Sequence, residues 1–147
     1  MAAGTKLQDF VEQLLSGKHD FTAAGHVFKA VLLRSTDPPV ATDTGLSSWT
    51  AQPTGTGYTA GGEDAQNTLA EAAGTATVTG TKITWTAGAA DWTSFRYVAL
   101  YNDTQSSPAD PGVGFWDYGS DLTLGNGETF TVKWNNGDPT GTILTCT

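Results

Sequence analysis

The sequence predicts a mainly β protein: an antiparallel β-sandwich, jelly-roll-like or immunoglobulin-like, with one short amphipathic helix at its N-terminus. Three observations predict it. Roughly eight runs of branched and aromatic residues are separated by Gly, Pro, Asn and Asp turn signals, a rhythm of packed sheets and not of alternating strand-helix units. Threonine is abundant, and its branched Cβ and hydroxyl suit a half-wetted strand. Helical periodicity is carried by a single segment near the start of the chain.

In that first segment Leu7, Phe10, Val11, Leu14 and Leu15 recur at three- and four-residue steps, which gathers them on one stripe. Thr5 with Gln8 matches a capping box, and Gly17 can take the left-handed conformation that stops a last turn. At about 12 residues such a helix is unstable alone. Its stripe must dock on its own domain or on a neighbouring subunit, so these five residues are candidate anchors.

His26 to Arg34 reads as a strand that ends where Pro38 and Pro39 forbid a continuing ladder. Leu46 to Glu63, rich in Gly, Thr, Ser and Pro, reads as a loop with a short edge strand near Trp49. Its "GTGYTAGGEDA" matches neither a phosphate loop nor a dinucleotide fingerprint, so its glycines are assigned to turns. In Thr75 to Thr86, Gly80-Thr81 suits a type II′ hairpin turn, and Ile83 and Trp85 face away from Lys82, Thr84 and Thr86. The same alternation sets Phe130, Val132 and Trp134 against Thr129, Thr131 and Lys133. Asn126-Gly127 and Asn136-Gly137 are turn pairs, and "GTILTC" forms a final strand.

The 147 residues suit one domain, 1–147, with 1–17 as a helical arm and 26–147 as the sandwich. A formal net charge of −8 argues against nucleic acid and against anionic membrane surfaces, because only seven Lys and Arg could meet phosphates. Cys146 is the single cysteine, which excludes a disulfide scaffold and suits a reducing compartment. Polar residues Gln8, Asp9, Glu12 and Gln13 interrupt the N-terminal segment, so no signal peptide is read.

Chemistry-bearing patterns are weak. His19 and His26 lack the further ligands of a zinc site. Asp43-Thr44-Gly45 resembles the aspartic protease signature, yet it occurs once and follows "PPVAT" instead of an apolar strand, which favours a turn. Asp103 and Asp117 could form a glycosidase pair, but their settings read as strand ends and turns. Asp103, Asp110, Asp117, Asp121 and Asp138 lack the ligand rhythm of a calcium loop. No enzyme activity, cofactor or metal is expected.

The aromatics remain. In "RYVALYND" Tyr97 and Tyr101 fall opposite Val98 and Leu100, giving an aliphatic face and an aromatic one; "VGFWDYGSD" adds Trp116 and Tyr118. Such tyrosines can meet a second sheet, stack on a sugar or contact another subunit. These four are candidate interface or sugar-binding residues.

The ordered blocks "FVEQLLSGKHDF", "VFKAVLL", "GTGYTAGG", "RYVALYND" and "GFWDYGSDLTLGNGETFTVKW…GTILT" together span nearly the whole chain. In this combination the sequence resembles a recurrent family of small virion structural proteins of tailed bacteriophages. The resemblance implies a β-rich decoration (cement) protein on the capsid exterior, or otherwise a head-fibre or tail subunit. It further implies the major capsid protein and other copies of the chain as partners, with a trimer as one assembly, and a virion put together in the bacterial host cytoplasm. It carries no residue-level site.

Overall fold

The computed structural model describes residues 4–147. The chain is mainly β, with antiparallel sheets and one short N-terminal helix, as expected from the turn-punctuated alternation. The first elements correct the sequence reading. Thr5 does not cap the helix: Thr5–Lys6 is a two-residue strand, β1, paired with Phe115 and Gly114. The close approach is possible because residue 114 is glycine; a Cβ there would sit 2.7 Å from the Thr5 carbonyl oxygen. The helix α1 then covers only Gln8–Leu15, and its N-cap, Leu7, makes no side-chain cap bond. Leu7 is instead fully buried, its N–H donating to the Val113 carbonyl at 3.1 Å. Burial of an apolar side chain has displaced the capping box.

The other end of α1 is as read. Gly17 takes φ +71°, its N–H meets the Leu14 carbonyl, and Lys18 N–H meets that of Gln13, the two bonds of a Schellman motif.

The largest sheet orders β1, β8 (Gly112–Leu122), β7 (Phe95–Asn102), β2 (Phe28–Leu33) and β3 (Glu63–Asp64). β7 is the central strand, paired with β2 from Phe28↔Asn102 to Leu33↔Tyr97 and with β8 on its other edge. Both of its faces are buried, since Val98 and Leu100 on one side and Ala99 and Tyr101 on the other are each at most 1% exposed. One face is covered by the 44–62 segment. That segment is pinned by the Gly45↔Pro111 bridge, by Tyr58 Oη accepting from Leu32 N–H at 3.2 Å, and by Tyr101 Oη donating to the Gly61 carbonyl at 2.8 Å.

No strand forms near Trp49, contrary to expectation. Leu46–Ser48 is a single 3-10 turn, and Trp49 is buried with its indole N–H donating to Asp43 at 3.0 Å.

The second sheet orders β10 (Thr140–Cys146), β5 (Thr75–Thr81) and β4 (Thr68–Ala72), and a two-stranded ribbon pairs β6 (Ile83–Thr86) with β9 (Thr129–Val132). Gly80-Thr81 is not a hairpin turn; it lies within β5. Gly80 is required there for packing, because a Cβ would stand 2.7 Å from Ile143 and 2.9 Å from the Ala65 carbonyl. The real hairpin turn is Ala73-Gly74, whose φ values of +52° and +82° are both left-handed, as a type I′ loop demands. Alternation in β6 and β9 is as read: Ile83, Trp85, Phe130, Val132 and Trp134 are buried, and Thr84, Thr86, Thr129, Thr131 and Lys133 are exposed. Both Asn-Gly pairs lie in turns, with Gly127 at φ +81° and Asn136 closing the 3-10 turn Trp134–Asn136.

The buried side chains form one hydrophobic cluster that includes Leu7 and Phe10, so the helix is part of the core and not a detached arm. Phe10 belongs to a group with His19, Phe21 and Phe28, in which the Phe21 and Phe28 rings stack at 4.2 Å. On the other side Phe130 links Trp85 and Phe95 at 6.2 and 5.0 Å between ring centroids.

Candidate interaction surface

The five candidate anchors of the helix separate into two sets. Leu7 and Phe10 are buried in the core, Phe10 reaching the surface only as part of a cleft wall. Leu14 packs against that core from its edge, Val11 is 39% exposed, and Leu15 points outward at 84% exposure. With Leu15 left outside, one turn beyond Val11, Val11 and Leu14 continue into a cleft between α1 and β10. Its volume is about 410 Å³, with Phe10, Val11 and Leu14 on one wall and Ile143, Leu144 and Cys146 on the other. A further hollow of about 250 Å³ runs past the helix C-terminus between Leu14, His19, Leu69 and Leu144. β10 is the edge of its sheet, so an apolar strip and an unpaired strand edge lie side by side.

The aromatic candidates do not share a surface, contrary to the sequence reading. Tyr101 is 1% exposed, and burial pushes its phenol pKa upward, the Asp103 carboxylate adding to the effect. It is a core residue with a hydrogen-bonded tip. Tyr97 is half-buried beside the Arg96 guanidinium, 5.5 Å from its ring centroid. Register places Tyr97 opposite Asp117 and Val98 opposite Trp116, so Trp116 lies on the sheet face that Tyr97 does not share, while Tyr118 falls in the register shift beyond Asp117. Trp116 is half-buried, edge-on to Trp134 at 5.3 Å; Tyr118 is 46% exposed, edge-on to Phe130 at 6.0 Å.

The carboxylates are engaged one by one. Asp117 accepts two bonds from Arg96, at 2.8 and 2.9 Å, and one from Gly119 N–H, which together hold its pKa below the usual range. Asp103 pairs with Lys29 at 2.8 Å. Asp117 lies opposite Tyr97, and Asp103 follows the far end of the same strand, so about 20 Å of strand separates them. Either glycosidase geometry needs less than about 10 Å. Asp43 accepts from Val40 N–H at 2.9 Å and from the Trp49 indole, the work of a turn residue. Asp138 is clasped by Lys133 and Lys82, whose hydrogen bonds lower its pKa to about 2. Among the described residues no three His, Cys, Asp or Glu side chains are grouped as metal ligands.

One polar centre escaped the sequence reading. Asn102 is wholly buried at the end of β7, where its Oδ1 accepts from Thr104 and Gln105 N–H at 3.1 and 3.2 Å. Its Nδ2 donates to the Lys18 carbonyl at 3.0 Å and to His26 Nδ1 at 2.9 Å, with His19 Nδ1 at 3.3 Å. Burial, reinforced by His26, lowers the His19 pKa to about 4. Asn102 thereby fastens the Lys18–His26 loop to the central strand. "YND" signals a turn, and only the fold reveals the buried clamp.

Fold and surface together define a mainly β, antiparallel protein with an apolar cleft between one helix and one edge strand, and with further exposed apolar side chains at Val27, Val40, Leu69 and Tyr118. No family model matches the chain, and neither the curated proteins nor the solved structures contain a significant match to it.

Proposed function

We propose that the protein is a non-enzymatic virion structural protein of a tailed bacteriophage, a decoration (cement) protein that binds the outer surface of the capsid and stabilises it. The ten strands among the described residues are read as the two layers of a β-sandwich, which makes a rigid body for that task. The major capsid protein and further copies of this chain, a trimer in the simplest arrangement, are its partners within the virion. Nucleic acid and membrane are not: the acidic charge disfavours phosphate surfaces, and no helix among the described residues is long and apolar enough to cross a bilayer.

The observation that carries this reading is the apolar strip of Val11, Leu14, Leu15 and Leu144 beside an unpaired strand edge, in a molecule whose carboxylates are largely occupied by structural partners. Surfaces of this kind bury against other protein. Leu15→Asp tests it cleanly, because Leu15 contributes little to the core. The variant should fold with unchanged thermal stability and lose occupancy on capsids stripped of the protein; full occupancy would reject the helix as the anchor. A copy number matching the capsid lattice supports decoration, whereas a few copies at one vertex would assign the chain to a tail or head fibre.

A further inference from the structure

A third hollow, of about 320 Å³, shares Trp116, Ile143 and Leu144 with the helix-side cleft and extends to Trp134, Asn135 and Asn136. Trp116 and Trp134 supply aromatic surface, Asn135 and Asn136 stand exposed at the rim, and Thr142 and Thr145 add hydroxyls. No carboxylate among the described residues lines it, and the ammonium of Lys133, its one charge, is already held by Asp138. Such a cavity has nothing for an ionic ligand and much for a neutral, polyhydroxylated one.

The rim is also pre-formed. Asn135 and Asn136 take φ +43° and +58°, consecutive left-handed residues that are strained unless their surroundings impose them. The surroundings do. Gly137 N–H closes onto the Trp134 carbonyl at 2.9 Å, the Trp134 indole N–H is tied to the Thr81 carbonyl at 2.9 Å, and Gly141 packs so closely that a Cβ would lie 1.7 Å from the Trp134 oxygen. The backbone that carries two side-chain amides, each with donor and acceptor, is thus set beside an indole ring before any ligand arrives.

We propose that this hollow is a saccharide-binding site, in which Trp116 meets the apolar face of a neutral sugar ring and Asn135 and Asn136 hydrogen-bond its vicinal hydroxyls. The site adjoins the helix-side cleft along Trp116, Ile143 and Leu144, whereas Asn135 and Asn136 line this hollow and not the cleft; on the decoration reading, many copies on one particle would turn weak individual binding into avidity.

The test titrates isotope-labelled protein with the methyl glycosides of glucose, galactose, mannose, rhamnose and N-acetylglucosamine, each to about 20 mM, a range that reveals dissociation constants near 1 mM. At least one should shift the Trp116 indole and the Asn135 and Asn136 amide signals saturably. The double variant Asn135→Gly, Asn136→Gly keeps the left-handed backbone without strain and removes both amides. It should weaken binding about tenfold or more, the loss expected for two hydrogen bonds. The proposal is overturned if no glycoside moves these signals, if the glycine variant binds like the parent, or if adenosine binds there in preference to every sugar. The same variant should still occupy capsids, so failure of the sugar site and failure of the decoration reading are told apart.

Discussion

Gly62 shows how a single backbone position supports the central sheet. It takes φ +77°, and a Cβ there would fall 1.9 Å from the Ala30 carbonyl oxygen in β2. Gly62→Ala should therefore destabilise the protein by about 3 kcal/mol, combining left-handed strain with overpacking, as chemical denaturation would measure. His19 makes the stability depend on pH. The unfolded chain protonates it near 6.5, but the folded chain does so only near 4, because it sits among Phe10, Phe21 and Phe28, with His26 opposing its charge and Asp9 only partly offsetting this. Its contribution is present above pH 6.5 and is lost as pH falls toward 4. Unfolding free energies measured across that window should decline for the parent and decline less for His19→Phe. Glycines illustrate what sequence can convey at this scale. Gly17 was legible because it follows a helical stripe, whereas Gly80 was misread because a glycine needed for close packing looks the same as one needed for a turn.

Among the elements, α1 separates packing from display within eight residues. Phe10→Ala should cost about 3–5 kcal/mol of stability, while Leu15→Ser should stay within about 0.5 kcal/mol, a contrast that thermal melts of the two variants would reveal. Periodicity named both residues as one stripe, since three- and four-residue spacing marks a face about 100° wide without saying which edge of it the core will cover. The alternation of β6 and β9 was legible, because apolar and polar side chains take turns along both, but β9 ends at Val132 and Trp134 opens a 3-10 turn where the pattern alone continues the strand. β4 was not legible. Its "TLAEA" is made of helix formers, lies fully exposed, and becomes a strand through pairing with β5. The two-residue strands β1 and β3 are likewise too short to leave a pattern.

Across the whole molecule, protection from solvent should fall from the middle strand outward. Backbone amides of Val98, Ala99 and Leu100 lie between two partner strands and under cover on both faces, so hydrogen exchange should be slowest there and fastest in exposed β4. The β-rich, antiparallel character was readable from turn spacing, but the displacement of Tyr101 into the interior was not. Its hydroxyl finds a half-buried acceptor in the Gly61 carbonyl, a residue 40 positions away that no local pattern connects to it. The four aromatics named from sequence were scattered for the same reason: strand alternation gives the side of a sheet, not what lies over it. Cys146, finally, is the sole thiol of the chain, exposed on the last residue of β10 and at the wall of the cleft beside Leu14. A maleimide dye or gold cluster attached to the wild-type protein would mark that single spot. It would go dark, or become unreactive, in any assembly that seats the helix against a neighbour.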